Sequence, residues 1–156
     1  MNEVERVAEQ IVSGYRAGAW PGVSVRDVLR GLSPAEAAAH PVTVAHSAWE
    51  IALHLAFWHA AARQRLGGQA VDYALDEDWP AAAEPTAANW QAVLDQLDAG
   101  HQALVDTVRA LTPDRLGQQV VGKSFNVYFM LHGIPQHDLY HCGQVVLLRK
   151  VLRETR

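Results

Sequence analysis

Apolar side chains recur at intervals of three and four residues along four stretches of the chain. These stripes run through residues 4–15, 51–66, 90–111 and 131–152. Because an α-helix turns once every 3.6 residues, this spacing brings each set of side chains to one face of a helix. No stretch alternates between apolar and polar residues for long enough to form a sheet. The pattern therefore predicts four amphipathic helices.

Capping residues indicate where these helices begin and end. Asn2, Ser47 and Thr86 can each accept a hydrogen bond from a backbone N–H in the first turn of a helix. Glycines at positions 67 and 68 favour the end of the second helix. Pro135 lies inside the fourth helix and predicts a kink just before His137. We expect long helices over residues 3–16, 47–66, 86–111 and 126–152.

The connections between these helices are unusually long. Residues 18–44 carry helix-start signals at Ser24 and Ser33, so this connection is expected to contain short helical turns. Residues 69–85 read as a second long loop, and residues 120–124 as a turn. Long connections of this kind often border a functional site.

Four helices with one apolar face each bury those faces by packing together. The predicted fold is therefore all-α, a four-helix bundle with long helical-turn connections. The chain of 156 residues fits a single domain over residues 1–156. The long connections permit a topology other than simple up-down-up-down.

Charge and composition exclude several classes of function. The net charge is −4 with no block of basic residues, so nucleic acid is not expected as a partner. No apolar run reaches the roughly 18 residues that a membrane-spanning helix needs. The acidic N-terminus lacks the apolar core of a signal peptide, and the one cysteine, Cys142, has no partner for an intrachain disulfide. We therefore expect a cytoplasmic protein.

Histidines interrupt two of the apolar stripes. His137 and His141 are one helical turn apart, so both rings leave the same face of the fourth helix. Two buried imidazoles need partners, either local hydrogen bonds within a core or a metal ion that uses both. A metal site needs a third ligand, and His54 lies in the middle of the second stripe. If the second and fourth helices are neighbours, three imidazoles converge and leave a coordination position free.

The segments around these histidines resemble the DinB-like or YfiT-like four-helix metalloproteins. The similarity lies in residues 49–58, in His132-Gly133, and in the H-x3-H-x-G-Q element of residues 136–144; Pro135 departs from the family pattern. The resemblance implies a divalent-metal site formed by His54, His137 and His141. Family members are often homodimers. Some are S-transferases that use bacillithiol, mycothiol or glutathione, at least one is an isomerase, and many have no assigned reaction.

Other residues leave alternatives open near this site. His101 lies on the inward stripe of the third helix, where it is either a fourth ligand or a core histidine. Glu50 lies one turn before His54 and either accepts its free ring N–H or caps the helix at Ser47. Gln144 follows His141 by three residues and is placed to border the open coordination position.

The remaining candidates are expected elsewhere. His59 is predicted to point to a different side of the helix from His54, and Asp138 to face another helix or solvent. Cys142 is interpreted as a small buried apolar residue. The two long connections supply Trp20 and Trp79 as candidate residues for the rim of a pocket.

These observations favour a metal-dependent enzyme that acts on a small electrophilic substrate. Its reaction would be thiol transfer or hydrolysis; thiol transfer, with a low-molecular-weight thiol, is preferred only because of the family resemblance. Zinc, nickel and ferrous iron all suit imidazole ligands. The alternative is a non-catalytic module, in which the metal stabilises the bundle or takes part in binding a ligand. An accessible pocket beside the site would favour the enzyme, and a closed, saturated site would favour the structural module.

Overall fold

Four long helices form the body of the protein, and the connections between them carry shorter helical segments. A computed structural model describes residues 2–16 and 18–154. In chain order these residues form α1 (Glu3–Tyr15), α2 (Val25–Arg30), α3 (Pro34–Ala38), α4 (Ala48–Leu66), α5 (Leu75–Asp78), α6 (Ala87–Arg109), a 3₁₀ helix (Pro113–Gly117) and α7 (Val127–Glu154). The predicted all-α fold class is confirmed.

Polar side chains cap the helices at the positions that the sequence indicates. The Asn2 side chain accepts the backbone N–H of Glu5 at 2.9 Å, and Thr86 accepts that of Asn89 at 3.2 Å. Ser47 opens α4 in a reciprocal capping box, as Ser33 does for α3. The long helices therefore begin within a residue of their expected starts.

The second long connection contains a short helix that the apolar pattern does not predict. Within residues 69–85, α5 is held by Glu77, whose carboxylate accepts the backbone N–H of Ala74 at 2.8 Å. Acidic side chains also complement the positive end of a helix. Four residues are too few to show helical periodicity, so the prediction of a loop is wrong for residues 75–78. The helix packs against α4 and leads the chain into Trp79.

The long helices do not pack in the order in which they occur along the chain. α1 packs against α6 and α7, and α4 packs against the same two helices. α1 and α4, consecutive long helices, therefore stand diagonally across the bundle, and the connection of residues 18–44 spans that diagonal. The second and fourth long helices, α4 and α7, are neighbours, which was the condition for their histidines to meet.

α1 and α7 approach each other closely where Gly14 faces Pro135. A Cβ added at Gly14 would lie 3.0 Å from the Pro135 Cβ, so a larger residue would force the two helices apart. Pro135 lies inside α7, which is assigned as helix on both sides of it. The kink expected before His137 stays a prediction. No helix among residues 2–16 and 18–154 is long and apolar enough to cross a bilayer.

Two apolar clusters fill the bundle. One contains Trp49 and Leu97 and includes residues of α2 and α3. The other contains Ile11 and Leu131 and includes residues of the 3₁₀ helix. Cys142 belongs to the first cluster, and its burial raises the pKa of its thiol, as expected for an inert apolar residue.

A layer of buried polar side chains lies between the two apolar clusters, with a member from each long helix. His59 Nε2 lies 3.0 Å from Asp138 Oδ1, and both side chains are completely buried. His101 Nε2–H donates to the Ile11 carbonyl at 3.2 Å, while its ring stacks on Tyr15 with centroids 4.2 Å apart. Asp138 thus faces another helix rather than solvent. Because buried polar groups need partners, we expect this layer to favour the observed register of the four helices.

Asp98 connects this layer to the protein surface. Its carboxylate accepts hydrogen bonds from Tyr15 Oη at 2.7 Å, Arg30 at 2.6 Å and Arg26 Nε at 3.1 Å. Burial alone would raise the pKa of Asp98, but these bonds outweigh burial and hold the pKa below its ordinary value. The cluster ties α1 and α2 to α6 and so anchors the first long connection.

Candidate metal centre

The rings of His54, His137 and His141 converge between α4 and α7. His54 Nε2 lies 3.0 Å from His137 Nε2, and His141 Nε2 lies 3.1 Å from the same atom. The three rings can each offer one nitrogen, and these nitrogens all lie within 4.8 Å of one another. The stripes of the two neighbouring helices thus bring together the three residues that the sequence analysis selected.

The spacing of these nitrogens suits a common divalent ion. With zinc–nitrogen bonds of about 2.0–2.1 Å and tetrahedral angles, ligand nitrogens stand about 3.3–3.4 Å apart. The distances of 3.0 and 3.1 Å in the structure are close to that separation. His54 and His141 hold their N–H on the far nitrogen, so they present lone pairs to the common centre, and a cation can accept these together with the lone pair of His137. The donor set therefore fits a divalent metal ion.

Hydrogen bonds at the far side of two rings leave Nε2 free to bind a metal. His54 Nδ1–H donates to the main-chain carbonyl of Asp78 at 2.8 Å. His141 Nδ1–H donates to Gln144 Oε1 at 2.6 Å. With the proton held on Nδ1, the lone pair of each ring lies on Nε2 and points at the common centre. Gln144 therefore lies on the far side of His141 from the common centre, and not at the open coordination position where it was expected.

Asp78 is the residue at this site that the sequence analysis missed. Its carbonyl and its Oδ1 both lie near His54 Nδ1, at 2.8 and 3.0 Å, and Oδ1 also accepts from Trp58 Nε1 at 2.8 Å. The only feature of the sequence that could have pointed to Asp78 is its position in the acidic segment after α4. This feature is weak evidence because acidic residues are common in exposed loops.

Trp79 covers the outer face of His54. The two rings stack with centroids 3.9 Å apart and planes 7° from parallel, and His46 stacks on the opposite face of Trp79 at 3.6 Å. His46 is exposed, but its ring contact helps to hold Trp79 in place. The suggestion that Trp20 borders the same pocket is wrong: Trp20 is exposed and lines a different cavity beside Pro135.

Glu50 and His101 are not part of the three-histidine cluster. Glu50 Oε2 accepts the backbone N–H of Ser47 at 2.7 Å, so Glu50 caps α4. Asp78, and not Glu50, is the hydrogen-bond partner of His54.

His101 is a core residue of the polar layer. Burial, followed by the nearby His59, lowers the pKa of His101 to about 4. His59 points away from His54 into the same layer.

Burial keeps the three clustered imidazoles neutral. It is the largest influence on each ring and lowers the pKa of His54, His141 and His137, the last to about 4. Asp78 and Gln144 oppose this shift by accepting hydrogen bonds, but they do not reverse it. Neutral rings are the form that binds a metal ion.

A cavity of about 290 Å³ opens beside the cluster. His54 and His137 form part of its wall, so a molecule inside can reach the common centre of the rings. The wall is otherwise mainly apolar, with two charged residues, Arg65 and Asp78. Its remaining lining comprises Trp58, Ala62, Phe125, Met130, Gly133 and Ile134. Such a cavity can bind the apolar part of a ligand and place its reactive group beside the histidines.

The lowered pKa values predict when protons compete with a metal ion for this site. An unperturbed imidazole, with a pKa of about 6.5, begins to lose its metal near neutral pH. Because burial lowers the pKa of all three rings, that of His137 to about 4, zinc affinity should stay nearly constant from pH 8 to about 6.5 and fall as the pH approaches 4. Competition titrations with a chromophoric chelator across this range measure it. A constant affinity down to pH 4 would contradict histidine ligation.

The comparison with protein families shows a match that covers most of the chain. The family model of the DinB superfamily matches residues 24–145, a segment that contains all three histidines of the cluster. No curated protein and no solved structure matches the chain.

Proposed function

The chain belongs to the DinB superfamily, and from this membership and its three converging imidazoles we propose that it is a divalent-metal-dependent enzyme acting on a small electrophilic substrate. His54, His137 and His141 hold the ion. The observation that carries the proposal is the meeting of three Nε2 atoms beside a cavity that His54 and His137 line. Three protein ligands leave a position for solvent or substrate, which is typical of reactive sites.

A bound divalent ion supplies Lewis-acid chemistry, which makes a water molecule or a thiol nucleophilic at neutral pH. The protein contributes the geometry. Asp78 and Gln144 orient two of the rings by accepting their Nδ1 protons, and Trp79 covers His54 from the solvent side. The apolar wall of the cavity excludes water around a bound substrate and keeps its electrophilic atom near the rings.

Thiol transfer and hydrolysis both suit this arrangement. We favour thiol transfer, with a low-molecular-weight thiol as nucleophile, because of the family resemblance. Zinc, nickel and ferrous iron are the candidate ions for three imidazole ligands. The proposal further includes that the substrate is a small molecule and that neither nucleic acid nor a membrane is a partner. It also includes that the protein forms a homodimer and is located in the cytoplasm. The acidic net charge and the free, buried Cys142 are compatible with these points.

An activity screen tests the proposal. Protein loaded separately with zinc, nickel or ferrous iron is mixed with a thiol and a chromogenic electrophile, and in parallel with ester substrates without thiol. We expect a metal-dependent rate with one ion, and its loss in His137→Ala, while His40→Ala, at an exposed position, keeps the rate. Full metal occupancy with no rate above that of the His137→Ala protein in any assay would contradict catalysis.

Removal of the metal distinguishes the enzyme from a metal-stabilised structural module. The two apolar clusters and the polar layer belong to the bundle itself, so the helices should form without an ion. Chelation is expected to lower the melting temperature by several degrees, because an ion that binds the folded state stabilises it. The helical circular-dichroism spectrum should remain. Loss of most helicity on chelation would favour the structural module.

A further inference from the structure

Arg65 is a buried cation that lines the cavity beside the three histidines. It lies in the last turn of α4, and only 6% of its surface is exposed. Its guanidinium donates one hydrogen bond, to the Val71 carbonyl at 3.3 Å, and its Nε has no partner. Among the described residues no carboxylate pairs with it.

An unpaired buried guanidinium is unusual because its charge loses hydration without gaining an anion. Trp58 compensates in part, since the guanidinium carbon lies 5.4 Å from the centre of its ring. The other charged residue of the cavity, Asp78, is already engaged: its Oδ1 accepts from Trp58 Nε1 and lies 3.0 Å from His54 Nδ1. Arg65 therefore retains donors that can serve a ligand.

The distance from Arg65 to the histidines suits a small molecule. The Arg65 guanidinium carbon is 5.4 Å from the Trp58 ring centre, and the His137 ring centre is 5.9 Å from the same point. The separation of the two groups is therefore at most the sum of these distances, about 11 Å. A molecule with a short apolar body can contact both, with Met130 and Ile134 along its length.

We infer that Arg65 binds an acidic group of the substrate, so that the substrate of this site is a small organic anion with an apolar body. The inference rests on the proposed function for the position of the reacting atom, but the anion site itself needs only the cavity and Arg65. A carboxylate suits it best among anions of this size, because the planar guanidinium can donate two parallel hydrogen bonds to it.

Binding of a matched pair of probes tests this site without any catalysis. Phenylbutyrate and phenylbutanol share the same apolar body and differ in the acidic group. Each is titrated into ¹⁵N-labelled protein, with and without zinc, and the Arg65 Nε–H resonance is followed together with the backbone amides. We expect the acid to bind at least about tenfold more tightly than the alcohol, the usual strength of a charge-assisted hydrogen bond, and to shift that resonance.

Variants of Arg65 show whether its charge is responsible. Arg65→Met keeps the long apolar stem and should remove the preference for the acid, whereas Arg65→Lys should keep part of it. Arg63→Met, at an exposed position on the same helix, is the matched control and should behave as the native protein. Circular dichroism checks that each variant folds. Equal affinities of the two probes for the native protein, or a preference that survives Arg65→Met, would overturn the inference.

The zinc titrations separate this inference from the proposed function. If the acid is preferred but zinc does not perturb the three histidines, the anion site stands and the proposed function fails. If zinc binds those histidines and the activity screen succeeds, but the two probes bind equally, the anion site alone fails.

Discussion

Replacing His54 with alanine is expected to lower the affinity for zinc by more than about a hundredfold, since even residues that only orient a ligand contribute ten- to a hundredfold. His54 provides one of three nitrogens and is the only one of them on α4. His137→Ala should have an effect of similar size. Competition titration with a chelator of known affinity measures both.

The controls for this experiment come from histidines outside the cluster. His40→Ala removes an exposed imidazole and should leave the affinity unchanged. His101→Ala removes a core residue, so it should reduce stability while a folded sample still binds zinc. If His54→Ala retained native affinity while His101→Ala abolished binding, the assignment of the three ligands would be wrong.

Replacing Asp138 with alanine is expected to cost about 3 kcal/mol of unfolding free energy, the upper end of the usual cost of leaving a buried polar group without its hydrogen-bond partner. His59 and Asp138 are both completely buried, and Asp138 is the hydrogen-bond partner of His59 Nε2. For a protein of this size the loss corresponds to a fall of roughly 10 °C in melting temperature. Urea unfolding measures the loss of unfolding free energy. Metal-free protein is used, so that a change in metal binding at the adjacent His137 does not contribute.

Two further variants establish that the polar pair is the cause. Asp114→Ala, at an exposed position, should change the unfolding free energy by less than about 0.5 kcal/mol. The double replacement His59→Leu/Asp138→Leu should be more stable than Asp138→Ala alone, because it leaves no unpaired polar group. A loss of less than about 1 kcal/mol for Asp138→Ala would show that the polar layer does not hold the helices in register.

The long helices and the three histidines were accessible from the sequence because they obey regular spacing. Apolar residues at helical intervals define α4 and α7, and the same intervals put His54, His137 and His141 on the inward faces. The sequence could not predict that α4 and α7 are neighbours, since periodicity identifies the apolar face of a helix but not the helix against which that face packs.

The residues that complete the site depend on tertiary structure. Asp78 reaches His54 through α5, which is too short to leave a pattern in the sequence. Glu50 is a different case, because its position in the sequence suited both a hydrogen bond to His54 and a cap at Ser47. Only the structure shows that it caps the helix. Arg65 gave no signal at all, because a basic residue near the end of a helix is ordinarily exposed and favoured there by the helix dipole.

X-ray absorption spectroscopy of the zinc-loaded protein tests the central claim most directly. The three-histidine site predicts a shell of three imidazole nitrogens at about 2.0–2.1 Å and at least one solvent oxygen, which an added thiol replaces with a zinc–sulfur bond of about 2.3 Å. In the His54→Ala protein the imidazole contribution should fall or zinc should be lost. A shell of four protein ligands that is unchanged by thiol, or one that is unaffected by His54→Ala, would contradict an open site built from His54, His137 and His141.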